Sequence, residues 1–423
     1  MADNISLVFE IAAAAVSVLL MGLCAARLLV RFAHVLKGTE PACGFRRQRG
    51  FAPRQALLCA AGAALASRLM IYLLAYAMYR LLGVGASSLS ESFAPLWTHW
   101  DTRHYIGIAQ QGYTAVGDDR LRLVFFPLYP LLMRLCSVLT GGDVFAGGIL
   151  VSLACSALSA ALVYDLAYMY GGREQAARAA AYFLLSPLSV FLCCAYTEAL
   201  FICLTLMAVC LHRRGRTYAA ALCGMLSAFT RMPGVIIAGL FIIEGLSKIP
   251  RRAFTRREAV RMLSKVLIVF SGLFAYWLVN AVVTGNPMMY LTYQRENWYQ
   301  APGSFWGSTM NTVQYFLSGV GESDWLWTWG FQLLCMLVIY LMMALCTPSL
   351  PFDLAAYSFV YVAVVLSPTW LLSGARYLYA MCTFPMMLAG LRLGRRGHAI
   401  LTAAHAVMLV IWVYGYTLAV QVL

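Results

Sequence analysis

Apolar stretches of roughly 17–25 residues recur from one end of this 423-residue chain to the other, each long enough to cross a hydrocarbon core of about 30 Å. Backbone inside lipid must satisfy its own hydrogen bonds, so such stretches fold as helices unless they close a barrel. The alternating ten-residue strands of a membrane barrel do not occur in the sequence. The composition agrees: 62% of residues are apolar and 11% charged, against about half and a quarter in a soluble domain. The expected fold is therefore an all-α polytopic membrane protein of about 12 transmembrane helices.

The first stretch, Ser6 to Val30, carries its basic residues after the apolar core (Arg27, Arg31, Lys37) and is too long for a signal peptide. It reads as a retained helix with its N-terminus outside. Asn4-Ile5-Ser6 fits a glycosylation acceptor but abuts the membrane, where it is a chance match.

The formal charge of +14 raises nucleic acid or anionic lipid as partners, but position argues for orientation instead. Basic residues fall in short loops at every second crossing: Arg46, Arg47, Arg49 and Arg54; Arg173 and Arg178; Arg213, Arg214 and Arg216; Lys248 through Lys265; Arg392, Arg395 and Arg396. This is the positive-inside pattern. Glu91, Asp101, Asp118, Asp119, Asp143, Glu198, Glu296, Glu322 and Asp324 fall on the opposite side.

Alternating the crossings accordingly gives helices at about 6–30, 56–82, 144–169, 177–192, 195–211, 217–231, 234–248, 265–284, 326–346 and 352–367, then two more around Arg395-Arg396. Two larger outer loops result, 83–143 and 285–325. Phe126 through Arg134 resembles a span, yet a crossing there would invert every later basic loop, so a helix on the outer surface is expected. Residues 1–55 read as an N-terminal helix and basic loop, and 56–423 as the main transmembrane domain. The 13 cysteines lie almost all in apolar segments without paired spacing, so neither a disulfide framework nor a metal site is expected.

Chemistry concentrates on the outer side. The first outer loop holds Trp97-Thr98-His99-Trp100-Asp101-Thr102-Arg103-His104-Tyr105, a carboxylate among aromatics that suits proton abstraction from a hydroxyl and sugar orientation. Trp and Tyr there also suit an interfacial belt. Glu198, Arg231 and Arg376 sit near outer helix ends, where ionisable groups face a cavity or one another. Arg68 lies mid-helix, as a structural partner for one of the acids. Asp165, near the inner end of its helix, reads as structural.

Trp100-Asp101, Phe125-Phe126-Pro127, Ser186-Pro187 with Tyr196-Thr197-Glu198-Ala199-Leu200, and Arg231 before Gly234 closely resemble, in order and spacing, the PIG-V family. Ser373 through Tyr377 followed by Phe384-Pro385 is similar to its C-terminal arginine–tyrosine motif. The resemblance covers about residues 95–390 and departs at the helix preceding the core and in the outer loops. It implies a GT-C-like glycosyltransferase that adds the second mannose in GPI-anchor assembly, or a bacterial relative with another acceptor. The implied partners are polyprenyl- or dolichyl-phosphate mannose, a lipid-linked acceptor and membrane lipids, with no nucleic acid and no cofactor beyond the lipid-phosphate donor. A lipid phosphate leaves as a stable anion, so one base suffices where a glycosidase needs two carboxyls. Asp101 is the expected base; Arg376 the first choice to hold the phosphate, with Arg103, His104 and Arg231 behind it. Glu198 is expected to orient a sugar hydroxyl or hold Arg231, and Trp100 and Tyr377 complete the binding residues.

Two other readings share the many helices. A transporter or flippase predicts inverted repeats and helices broken near the midplane, whereas the polar residues here gather at the outer side. A non-catalytic subunit of a membrane complex would tolerate loss of Asp101. The Ala-rich composition and short loops favour a bacterial cytoplasmic membrane with an outward-facing site; an ER membrane with a lumenal site is the eukaryotic equivalent.

Overall fold

The computed structural model describes residues 2–39, 50–83, 88–319 and 325–420. Arg46, Arg47, Arg49, Glu322 and Asp324 lie outside the described residues, as do the side chains of Asn4 and Ile5. The described chain is helical throughout, with no strand among its elements: α1 (Ala2–Lys37), α2 (Arg54–Leu81), α3 (Leu89–Trp97), α4 (Asp101–Gln111), α5 (Leu128–Ser137), α6 (Val144–Leu185), α7 (Thr197–Arg213), α8 (Thr217–Ala228), α9 (Ala238–Leu246), α10 (Arg256–Thr284), α11 (Met289–Trp298), α12 (Phe305–Ser318), α13 (Phe331–Cys346), α14 (Phe352–Val365), α15 (Gly374–Tyr379), α16 (Phe384–Ala389) and α17 (Arg395–Thr417). The chain is an all-α polytopic membrane protein.

Among the described residues, six helical segments are individually long and apolar enough to cross a membrane: 6–37, α2, α6, α10, Leu326–Cys346 and α17. All the other expected crossings are helical but short or broken. The third and fourth share α6, which bends at Gly172, where φ is 74° and ψ −165°; a side chain would be strained there, and glycine is not. The fourth stops at Leu185, and Pro187–Leu192 is a 3₁₀ turn instead of its last turns. The seventh begins as the 3₁₀ turn Met232–Ile237 before α9. The eleventh is split into α15 and α16. The eighth, by contrast, starts nine residues earlier than expected, because Thr255 caps α10 by accepting from the Glu258 amide.

The outer-loop segment that resembled a span is not one straight helix. The 3₁₀ turn Asp118–Val124 and residues 128–140 meet at 106°, and α5 buries Tyr129 and Met133 against α6, with Tyr129 Oη donating to the Gly148 carbonyl at 3.0 Å. α1 docks across α12, α13 and α14: the Arg31 guanidinium donates to the Thr347 carbonyl at 2.9 Å and that of Arg27 to the Ala344 carbonyl at 2.5 Å.

The basic loops meet at one end of the bundle. Arg214 pairs with Asp165, whose other oxygen accepts the Ala52 amide at 2.9 Å; Arg213 pairs with Asp353 at 2.7 Å, and Lys265 with Glu244 at 2.8 Å. Asp165 is thus structural, as expected. α7 begins beside Glu198 and ends at Arg213, so the two lie about 22 Å apart along one helix at 1.5 Å per residue. The charged groups around Glu198 and those around Arg213 stand at opposite ends of the same bundle.

Candidate active site

Trp100 has φ 43° and ψ −113°, a conformation costly for a bulky residue. It turns the chain sharply into α4 and sets Asp101 at the first position of that helix. The strain is held by packing: the Trp100 ring lies 5.3 Å from that of His99 and 5.4 Å from that of Tyr416, and Tyr196 Oη donates to the His99 carbonyl at 3.1 Å.

Four charged side chains from four chain breaks converge. Asp101 Oδ2 accepts from Arg376 Nη2 at 2.8 Å. Glu198, at the start of α7, accepts from Arg231 Nη1 at 2.6 Å, and its same oxygen lies 3.2 Å from Arg376 Nε. The Arg376 side chain is only 5% exposed and Glu198 2%, while Asp101 retains 24%. Burying two cations and two carboxylates together is tolerable because the formal charges cancel. Arg376 lies between the acids, and its Nη1 is buried without a hydrogen-bond partner among the described residues. An orphaned guanidinium donor of this kind is costly and available to an anion. The rings of Tyr196 and Tyr377 lie 5.0 and 5.6 Å from the Arg376 guanidinium, and Tyr377 lies 4.5 Å from that of Arg231.

These groups line a cavity of about 360 Å³, within the size range of small-molecule sites. Asp101, Glu198, Arg231, Arg376 and Tyr377 all face it. Trp100, Arg103 and His104 do not; they border a separate hollow with His99 and Ala419. For Arg103, helical geometry accounts for this. Residues i and i+4 share a face, so Tyr105 lies with Asp101 in the cavity while Arg103, two residues on, points away. Arg103 donates to the Thr98 carbonyl at 3.3 Å, and His104 stacks on Phe125 at 4.8 Å. Burial, opposed by nearby Asp101, pushes the His104 pKa below its ordinary value; burial and then Arg103 do the same to His99. Burial thus disfavours the charged form of both imidazoles.

The cavity also uses residues that the sequence reading left unassigned. Gln294, Trp298 and Gln300 come from the second outer loop, where the richness in amides and aromatics was the available signal. Thr197, Thr230 and Tyr361 also line it, and no sequence signal marks Tyr361 within apolar α14. The 367–376 turn, which carries Trp370, Ser373 and Arg376, is pinned by polar side chains of two helices: Asn311 Nδ2 donates to the Thr369 carbonyl at 2.7 Å, and Gln332 Oε1 accepts the Gly374 amide at 2.7 Å. Arg68, expected to face an acid, instead donates to the Ser189 and Leu184 carbonyls. Among the described residues, no three His, Cys, Asp or Glu side chains gather as a metal-holding group.

The family model described as mannosyltransferase (PIG-V) matches residues 80–325, more than half of the chain. GPI alpha-1,6-mannosyltransferase 2 of Cricetulus griseus is 29% identical over 252 residues, 56% of this chain and 48% of the relative. The Mus musculus protein of the same name is 30% identical over 229 residues (52% and 44%), and that of Rattus norvegicus 34% over 155 residues (34% and 31%). The chain spans about half the length, or less, of these curated relatives. No solved structure matches. The chain belongs to the PIG-V mannosyltransferase family.

Proposed function

We propose that this PIG-V family member transfers mannose from a polyprenyl- or dolichyl-phosphate donor to a hydroxyl of a lipid-linked or glycolipid acceptor. The reaction takes place on the face opposite the basic loops, outward in a bacterial cytoplasmic membrane or lumenal in the ER. The observation that carries the reading is the single cavity into which a partly open carboxylate, Asp101, and a buried arginine with a spare donor, Arg376, both face.

In the proposed step, an acceptor oxygen attacks the anomeric carbon while Asp101 takes its proton. The bond from that carbon to the phosphate oxygen breaks, and the lipid phosphate leaves with the electron pair. Arg376 offers Nη1 to the leaving oxygens, as a guanidinium suits phosphate. One displacement inverts the carbon, so a β-linked donor gives an α-linked product, in keeping with the α-1,6 linkage in the relatives' names. Glu198 holds Arg231 and steadies Arg376, fixing the cation before the phosphate arrives. Trp298 and Trp370 give the wall apolar faces for sugar rings.

The test is purified protein in detergent with radiolabelled polyprenyl-phosphate mannose and extracted membrane lipids. Label in a new lipid, sensitive to Asp101→Asn, is the expected result. Donor binding without transfer to any lipid overturns the mannosyl-transfer reading, and no donor binding at all favours a transporter.

A further inference from the structure

Arg68 sits in the middle of α2 with no exposed surface, and no carboxylate lies within 4 Å of it among the described residues. An arginine in a membrane helix is expensive and needs a reason. Here the reason is the chain break opposite it. Residues 186–196 leave the α6 helix, make one 3₁₀ turn and run to α7, and all of them are buried. Non-helical backbone at such a site needs donors for its carbonyls.

α2 supplies three. Arg68 Nη1 donates to the Ser189 carbonyl at 2.5 Å, and Nη2 to the Leu184 carbonyl at 3.0 Å. One helical turn on, Tyr72 Oη donates to the Cys193 carbonyl at 2.7 Å. Ser152 adds a fourth from α6, donating to the Cys194 carbonyl at 2.7 Å. Only a planar fork reaches two carbonyls five residues apart at once. The crossing so held ends at Tyr196, which donates to the His99 carbonyl two residues before Asp101 and lies under the Arg376 guanidinium; Glu198 follows. Arg68 itself does not line the cavity.

We propose that Arg68 is a positioning residue for the transfer reaction. Through the Leu184 and Ser189 carbonyls it fixes the 186–196 crossing, and so sets Tyr196 and Glu198 against Asp101 and Arg376. The inference rests on the transferase reading for its catalytic consequence, but the positioning itself is measurable without turnover.

Arg68→Lys, Arg68→Met and Tyr72→Phe are compared with the wild type by amide hydrogen exchange and by transfer kinetics. Exchange across 184–200 is expected to rise about tenfold in Arg68→Met, the order of one lost buried hydrogen bond, with α1 unchanged. kcat is expected to fall about 100-fold in Arg68→Met, as a 1 Å misplacement can cost. Lysine, which reaches one carbonyl at a time, restores part of it, and the donor KM stays within about threefold because no cavity group is removed. If Arg68→Met does not fold, Arg68→Lys and Tyr72→Phe decide, each with a smaller rise in exchange and a kcat loss of about fivefold. Unchanged exchange at 184–200 in the folded variants overturns the proposal. So does raised exchange with unaltered kcat. A wild type that transfers nothing, while its variants show the exchange change, overturns the transferase reading and leaves the hold of Arg68 on the crossing established.

Discussion

Replacing Asp101 by asparagine separates two roles that one carboxylate plays. The amide keeps the shape and an oxygen acceptor for Arg376 Nη2, and Glu198 Oε1 still lies 3.2 Å from Arg376 Nε. The cluster therefore stays assembled, but its formal charge rises from zero to +1. Loss of a positioned base lowers turnover by about 10²–10⁴-fold, or roughly 3–5 kcal/mol of barrier at about 1.36 kcal/mol per decade. Donor affinity moves the other way. A unit charge about 4 Å from a phosphate at an effective dielectric near 20 interacts by about 4 kcal/mol. Asp101 is 24% exposed, so solvent screens much of that difference and a few-fold tighter donor binding is expected. Labelled-mannose transfer under saturating donor gives turnover, and rapid filtration of the labelled donor gives affinity. Turnover within tenfold of wild type in a well-folded variant refutes the base assignment. Donor binding lost in step with turnover refutes it too, since Asp101 would then serve only to hold Arg376.

Arg376→Lys replaces a fork that spans Asp101 and Glu198 with a single ammonium; kcat is expected to fall about 100-fold and the donor KM to rise more than the acceptor KM, and equal effects on both substrates would count against phosphate binding. Gly234→Ala places a Cβ 2.3 Å from the Ala228 amide nitrogen and the Ser227 carbonyl carbon, backbone that has nowhere to go; thermal unfolding should show a loss of at least about 1–3 kcal/mol, with activity reduced because Arg231 is three residues away. His104→Phe keeps the stack on Phe125 and removes the titration. Burial depresses the His104 pKa below 6.5, so its neutral form confers stability above about pH 6.5 that is lost as pH falls through the folded-state value. The acid limb of the melting-temperature profile should flatten in the variant; an unchanged slope would refute it.

The four charged groups of the site were legible because a chain so apolar has few places for them. Asp101, Glu198, Arg231 and Arg376 stand out against their surroundings, and each lies beside a Pro, Gly or aromatic break. Their pairing was not legible, since Asp101 and Arg376 are 275 residues apart and only tertiary packing brings them to 2.8 Å. Arg103 and His104 were drawn in by adjacency to Asp101; helical rotation turns Arg103 out, and His104, on the same face as Asp101, is taken up by its stack on Phe125. Arg68 was expected to meet an acid because opposite charge is the partner that sequence displays. A carbonyl freed by a broken helix is an equally good acceptor, and nothing in the residue types marks it. The extent of α10 was hidden by its basic first turns, which look like loop until the Thr255 cap is taken into account.

The broken helices and the charges explain one another. A continuous helix spends all its interior backbone groups on itself and presents side chains only laterally, so it cannot aim several ionised groups at one point. Ending α6 at Leu185, α8 at Ala228 and α14 at Val365 creates helix starts and turns that face inward and carry Glu198, Arg231 and Arg376. Those endings expose buried carbonyls, and the chain meets them with polar side chains on neighbouring helices: Arg68 and Tyr72 for the first break, Asn311 and Gln332 for the last. The wall made by α11 and the segment after it is held by both kinds of contact. Buried Asn280 Oδ1 accepts the Tyr290 amide at 3.1 Å and the Tyr290 ring packs on Tyr276. The Thr369 hydroxyl and amide bond to Ala301, and the exposed Arg120–Glu296 ion pair is the tie that solvent weakens most. The charged floor of the cavity is thus clamped from neighbouring helices, while its aromatic, amide-rich wall, which carries Gln294 and Trp298, keeps one tie that solvent weakens.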